Sequence, residues 1–134
     1  MNSSRVLGTV LCVLSLLVPS VGAGQEIAPT LSPDDLYAQR RSGSAPQVLD
    51  VRTPEEFRLG HIPGAVNIPH TDLASRIGEV ETEHGVVLYC MVGPRARRGE
   101  KTLLDAGLPK VLHLDGGLAA WKAAGYPVDR ADSE

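Results

Sequence analysis

Short apolar runs alternate with helix-start signals along this chain, and that alternation constrains the fold more than any other feature. Residues 32–35 and 53–56 each combine a capping hydroxyl, a proline and two acids, which is the pattern of a helix N-terminus. The apolar runs predict buried strands at 48–51, 65–68, 86–89 and 111–114. Further helices are expected at 72–77, 96–106 and 118–124. Strands that alternate with helices predict an α/β fold, with a mainly parallel central sheet of about five strands and helices on both faces.

The first 23 residues have the composition of a secretory signal peptide. One positive charge precedes the apolar stretch 6–18, and the small residues 21–23 form a cleavage site. The apolar stretch is shorter than the roughly 20 residues that span a bilayer, so an uncleaved membrane anchor is the less favoured alternative. We therefore expect an exported, periplasmic protein with no membrane association once residues 1–23 are removed.

The remaining chain has the size of one compact domain, and we expect a monomer. Residues 24–31 and 129–134 are expected to be loose ends. The formal charge of −3 becomes more negative when Arg5 leaves with the signal peptide, which argues against a nucleic-acid partner. Cys12 leaves with the same segment, so Cys90 is then the only thiol and no intrachain disulfide is possible.

Cys90 is the candidate nucleophile. It ends the apolar run 86–89 and opens a short turn, 90–95, that leads into a predicted helix. This order places the sulfur at the carboxyl edge of the sheet, facing backbone N–H groups and a positive helix end, which favour thiolate over thiol. The histidines show no metal-ligand spacing, so we expect neither a metal nor a cofactor.

Three ordered motifs resemble those of the rhodanese-like domain family. Residues 49–57 and 60–69 resemble its amino-terminal signature, and residues 90–95 resemble its active-site loop. Residues 114–121 and 125–128 resemble its carboxyl-terminal signature. The resemblance implies a single-domain, exported bacterial member, with a three-layer rhodanese-like domain at 32–128.

The resemblance also implies sulfur transfer. The Cys90 thiolate would take the outer sulfur of thiosulfate or of a persulfide, hold it as a persulfide, and pass it to cyanide or a thiol. Asp50 and Arg52 would hold the active-site face together by ion pairing. His61 is flanked by turn residues, and we expect it to cap or to hydrogen-bond loop backbone. Backbone N–H groups would cradle the persulfide from Met91, Val92, Gly93, Arg95 and Ala96.

Three arginines follow the cysteine in an otherwise acidic chain and could steer anionic substrates. On a helix that begins here, residues 95 and 98 share a face while residue 97 points elsewhere, so the three cannot all address the sulfur. Arg95 is the candidate for that role. Arg97 and Arg98 are equally consistent with a solvated helix face.

The length and composition of the loop 90–95 indicate which substrates it would accept. Its Cys-x4-Arg length favours sulfur over the phosphate or arsenate chemistry of related phosphatases, which carry Cys-x5-Arg. Ala96 stands where many relatives have a hydroxyl, Pro94 has no N–H to donate, and Met91 and Val92 make the rim apolar. We therefore predict that thiosulfate is a mediocre substrate and that a less charged persulfide or thiol is the natural donor or acceptor. Two alternatives stay open: a non-catalytic binding module with an inert cysteine, and a persulfide carrier or redox sensor.

Overall fold

A computed structural model describes residues 26–131 of the chain, and the expected signal peptide at 1–23 lies outside the described residues. The strands are β1 (Thr30–Leu31), β2 (Gln47–Asp50), β3 (Val66–Asn67), β4 (Val86–Tyr89) and β5 (Val111–Leu114). The α-helices are α1 (Pro33–Ser42), α2 (Pro54–Leu59), α3 (Pro94–Asp105) and α4 (Gly117–Ala123). Within the described residues, no helix has the length and hydropathy that a bilayer span needs.

The five strands form one parallel sheet in the order β1-β5-β4-β2-β3. The sheet has a hydrophobic core on each face, and alternate residues of the central strand β4 pack into one core or the other, because successive side chains of a strand point to opposite faces. Val86 and Leu88 pack with Leu103 of α3, whereas Val87 and Tyr89 pack with residues of α1 and α4. This arrangement confirms the α/β fold with a parallel sheet of five strands between two helical layers.

The helix starts follow the local signals closely. The Ser32 hydroxyl accepts the Asp35 N–H at 3.1 Å, and the Thr53 hydroxyl accepts the Glu56 N–H at 3.2 Å. The prediction of one helix over 72–77 is wrong, because the chain forms two 3₁₀ turns there, Leu73–Ser75 and Ile77–Glu79. The segment is less than two turns long and Gly78 follows it closely, so propagation does not offset the cost of helix nucleation.

The ends of the domain are more ordered than the sequence indicates. Ala28 is buried, and the His113 N–H donates to the Pro29 carbonyl at 2.8 Å where β1 joins the sheet edge. At the other end, Asp129 and His61 exchange two backbone hydrogen bonds, each of 2.9 Å. The expectation of loose ends is therefore wrong for residues 28–31 and for Asp129. A two-residue edge strand is too short to produce the periodicity that sequence reasoning detects.

Candidate active site

Cys90 lies directly after the carboxyl end of β4, which is the central strand of the sheet, between β2 and β5. Its Sγ accepts a hydrogen bond from the Gly93 N–H at 3.1 Å, and its side chain is 1% exposed. Gly93 has φ 154°, a conformation that favours glycine, and Pro94 then opens α3. The thiol is thus held under a tight turn at the start of a 12-residue helix.

The Cys90 loop is supported from the side by α4. The Leu118 N–H donates to the Cys90 carbonyl at 2.9 Å, and the Ala119 N–H donates to the Met91 carbonyl at 3.0 Å. Gly117 permits this close approach, because a Cβ there would lie 2.6 Å from the Cys90 carbonyl oxygen. Within residues 26–131 no side chain caps the start of α4, and the loop carbonyls satisfy N–H groups of its first turn instead. The Gly-Gly pair of the carboxyl-terminal signature therefore positions the cysteine loop, a role that the sequence did not reveal.

The five predicted loop residues divide into three groups. Gly93 donates to the sulfur, whereas none of the other four forms a hydrogen bond with Sγ within residues 26–131. Met91 and Val92 form an apolar rim and are 36% and 61% exposed. Arg95 and Ala96 lie in the first turn of α3, where backbone N–H groups have no intrahelical acceptor. Their contribution to a persulfide cradle stays a prediction.

Arg95 is bound by Glu56 of α2, a residue that the sequence analysis did not single out. Its Nη1 and Nη2 donate to the two carboxylate oxygens of Glu56 at 2.6 and 3.0 Å. The hydrogen bonds from Arg95 lower the pKa of Glu56 to about 2, and the same contact raises the pKa of Arg95. Glu56 was visible in the sequence only as an acid in a helix first turn. Its pairing with α3 depends on how the two helices approach each other at the sheet edge.

Asp50 and Arg52 form the expected ion pair, and both side chains are buried. Arg52 Nη2 donates to Asp50 Oδ2 at 2.7 Å, and Arg52 Nε donates to Asp50 Oδ1 at 3.0 Å. The same guanidinium donates to the Gly60 carbonyl at 2.6 Å, which ties the end of β2 to the end of α2. The predicted structural role of this pair matches its geometry.

His61 contacts backbone in the last turn of α2, which agrees with the expected capping role and not with a contact to loop backbone. Its Nδ1 lies 2.7 Å from the Phe57 carbonyl oxygen, and its ring stacks on the Phe57 ring with centroids 3.7 Å apart. The histidine borders a depression of about 620 Å³ on the surface beside α2. The depression is lined by Phe57, His61, Val128, Asp129, Arg130 and Ala131.

A buried polar pair beneath the loop was not predicted. Glu100 of α3 and His113 of β5 are hydrogen-bonded to each other, and Arg97 donates to Glu100 at 3.1 Å. Burial raises the pKa of Glu100, against the opposing effect of His113. Arg97 also donates to the Ala28 carbonyl at 3.0 Å, so it anchors the N-terminal segment. Arg97 therefore stabilises the scaffold, a role that neither of its two expected alternatives, substrate steering or a solvated helix face, included.

One grouping of potential metal-ligand atoms occurs in the described part of the chain. Atoms of Glu81, Glu83 and His84 lie within 4.8 Å of one another, on exposed side chains. Exposed acidic groups often lie this close without binding an ion. The grouping belongs to the surface turn before β4 and includes none of the predicted site residues.

Comparisons with known proteins agree with the motifs. The model of the rhodanese-like domain family matches residues 32–124. The chain is 29% identical over 104 residues to thiosulfate sulfurtransferase GlpE of Pseudomonas aeruginosa, covering 78% of this chain and 92% of that protein. It is 39% identical over 108 residues to the HTH-type transcriptional regulator Rv0324 of Mycobacterium tuberculosis, covering 73% of this chain but only 46% of that protein.

A solved structure shows the same architecture. The rhodanese-like domain of the Anabaena sp. Alr3790 protein superposes with a TM-score of 0.70 at 32% sequence identity, covering 78% of this chain and 80% of that one. The residues 32–124 that match the family model include the cysteine loop and four of the five strands, β2 to β5. The chain therefore belongs to the rhodanese-like domain family, whose members include proteins named thiosulfate sulfurtransferases.

Proposed function

We propose that the protein is a sulfurtransferase in which Cys90 carries a sulfane sulfur from a donor to a thiophilic acceptor. The observation that carries the proposal is the position of Cys90, at the carboxyl end of β4 with its Sγ bound by the Gly93 N–H. Helix N-termini and loop N–H groups stabilise negative charge on sulfur, which both a thiolate and a persulfide require. Relatives that are named sulfurtransferases support the same chemistry.

The proposed reaction has two steps. In the first, the Cys90 thiolate attacks the outer sulfur of thiosulfate, an S–S bond forms, and the donor S–S bond breaks with its electron pair leaving on sulfite. In the second, cyanide or a thiolate attacks the outer sulfur of the Cys90 persulfide and returns Cys90 as a thiolate. No redox partner or cofactor is required, because the sulfur is transferred between nucleophiles.

Intact-mass spectrometry of residues 24–134 tests this proposal directly. The protein is incubated separately with thiosulfate and with glutathione persulfide, and Cys90→Ala is the control. We expect one added sulfur on the wild-type protein, removed by cyanide and absent from the control. A folded protein with a free thiol that takes no sulfur from either donor would contradict the proposal.

A non-catalytic binding module is the second candidate, and one observation favours it. Cys90 is 1% exposed, as an inert structural cysteine would be. The alkylation rate of Cys90 as a function of pH separates the two functions. An active-site thiolate reacts rapidly at neutral pH, whereas an inert buried thiol reacts slowly throughout and fastest after unfolding. A carrier or redox sensor would take the sulfur but release it only to a protein acceptor.

We also propose that the protein acts after export, in a periplasm. The support is the amino-acid sequence of residues 1–23, with one cation, an apolar stretch and a small-residue cleavage site. Expression of the full chain in a Gram-negative host, followed by fractionation and mass measurement, tests this. We expect a shortened protein in the periplasmic fraction, and a full-length protein retained in the cytoplasm would contradict export.

A further inference from the structure

The arginines next to the carboxyl ends of β2 and β4 are already paired with carboxylates. Each guanidinium lies within 3.1 Å of an acidic oxygen from its own or a neighbouring element. Arg98 is exposed and follows Arg95 by three residues, about 4.5 Å further along the α3 axis. The three pairs are Arg52–Asp50, Arg95–Glu56 and Arg97–Glu100.

The Arg95–Glu56 pair is the one that lies at the opening of the Cys90 loop. Both side chains are about one-third exposed, so the pair reaches solvent where a donor would approach. Both terminal nitrogens of Arg95 are engaged by Glu56. Glu56 is the main cause of the raised pKa of Arg95, and Cys90 is a lesser one. Arg95, the arginine that ends the Cys90 loop, is therefore neutralised by a carboxylate of the protein itself.

The Cys90 loop also presents apolar side chains to solvent. Met91 and Val92 are exposed large hydrophobic residues. A dianion such as thiosulfate gains little from such a surface, and the Arg95–Glu56 pair offers it no uncompensated positive charge. A donor with one negative charge and an apolar group depends less on a free cation and buries apolar area against the rim.

We propose that Glu56 is a specificity-determining residue, which by holding Arg95 makes the site select monoanionic donors with an apolar group over the dianion thiosulfate. This inference rests on the proposed sulfurtransferase function. Arylthiosulfonates and alkyl persulfides belong to this donor class. With an arylthiosulfonate, Cys90 attacks the outer sulfur, the donor S–S bond breaks, and its electron pair leaves on the sulfinate. The product is the same Cys90 persulfide, so only the leaving group and the charge of the donor differ.

The test is the ratio of kcat/KM for thiosulfate to kcat/KM for benzenethiosulfonate, with cyanide as the acceptor. Glu56→Gln removes one negative charge and leaves an amide that can still contact Arg95. Glu55→Gln is the matched control, since it makes the same charge change on the next residue, which pairs only loosely with Arg58 at 3.7 Å. We expect Glu56→Gln to raise the ratio about fivefold, and Glu55→Gln to leave it unchanged. The ratio is insensitive to a partly unfolded sample, because both donors use the same active fraction.

A second variant tests the opposite direction. Arg95→Gln leaves the Glu56 carboxylate unpaired at the opening, so we expect the ratio to fall. A ratio that stays at the wild-type value in Glu56→Gln, or that moves equally in Glu55→Gln, would overturn the inference while leaving the sulfurtransferase function intact. If the wild-type protein takes sulfur from neither donor, the proposed function itself fails, and the inference fails with it.

Discussion

Replacing Asp50 by Asn should destabilise the protein severely, because it leaves a buried guanidinium without its counterion. Arg52 directs its backbone N–H, Nε and Nη2 at the Asp50 carboxylate over 2.7 to 3.2 Å, and both side chains are at most 2% exposed. An amide at this position has one acceptor oxygen and presents an NH₂ group to the guanidinium. Breaking a buried pair by neutralising one partner costs about 3–5 kcal/mol. That is a large part of the roughly 5–15 kcal/mol that stabilises a typical domain.

Urea unfolding of residues 24–134, followed by the fluorescence of the single, buried Trp121, measures this loss. We expect the free energy of unfolding to fall by about 3 kcal/mol or more, with an unchanged dependence on urea concentration. Glu55→Gln is the control, since it removes the same charge from an exposed pair with Arg58, and should cost less than about 0.5 kcal/mol. A loss below about 1 kcal/mol for Asp50→Asn would refute the reasoning that this pair is buried and unscreened.

Two further predictions concern the loop and its opening. Gly117→Ala should lower the rate of Cys90 persulfide formation by about tenfold or more, because its Cβ would displace the Cys90 carbonyl that α4 holds. Gly107→Ala is the control, because Gly107 also has a positive φ but a Cβ there would have no atom within 4 Å. Rapid-quench mass spectrometry should show this variant near the wild-type rate of persulfide formation. Equal losses of rate in the two variants would contradict the role of α4. Glu56 has a pKa lowered from 4.5 to about 2, so its contribution to stability is complete above about pH 4.5 and is lost as the pH falls toward 2. Urea titrations should therefore show wild type about 1 kcal/mol more stable than Glu56→Gln at pH 6 and the two equal near pH 2, and a constant difference would show that the Arg95 contact does not set the shift.

Features carried by adjacent residues were predictable. Ser32 and Thr53 cap their helices as expected, because a cap, a proline and two acids act within one turn of the residue that carries them. β4 and β5 have the predicted bounds, since each is a short apolar run with a turn on either side. The position of Cys90 at the end of β4 follows from the same run. The ion pair of Asp50 and Arg52 was also predicted, because the resemblance to the rhodanese-like family implied it.

Features that join distant segments were not predictable in the same way. β1 has only two residues and exists because β5 offers a free sheet edge, and neither fact is local to Thr30–Leu31. Glu56 appeared as an ordinary helix-start acid, and only the approach of α2 to α3 gives it Arg95 as a partner. The sequence by itself therefore determined the order of the longer helices and strands, the family and the identity of the candidate nucleophile, because these depend on local patterns. The tertiary structure alone decided how the loop is supported by α4 and which charges remain at its opening, because these depend on contacts between residues far apart in the chain.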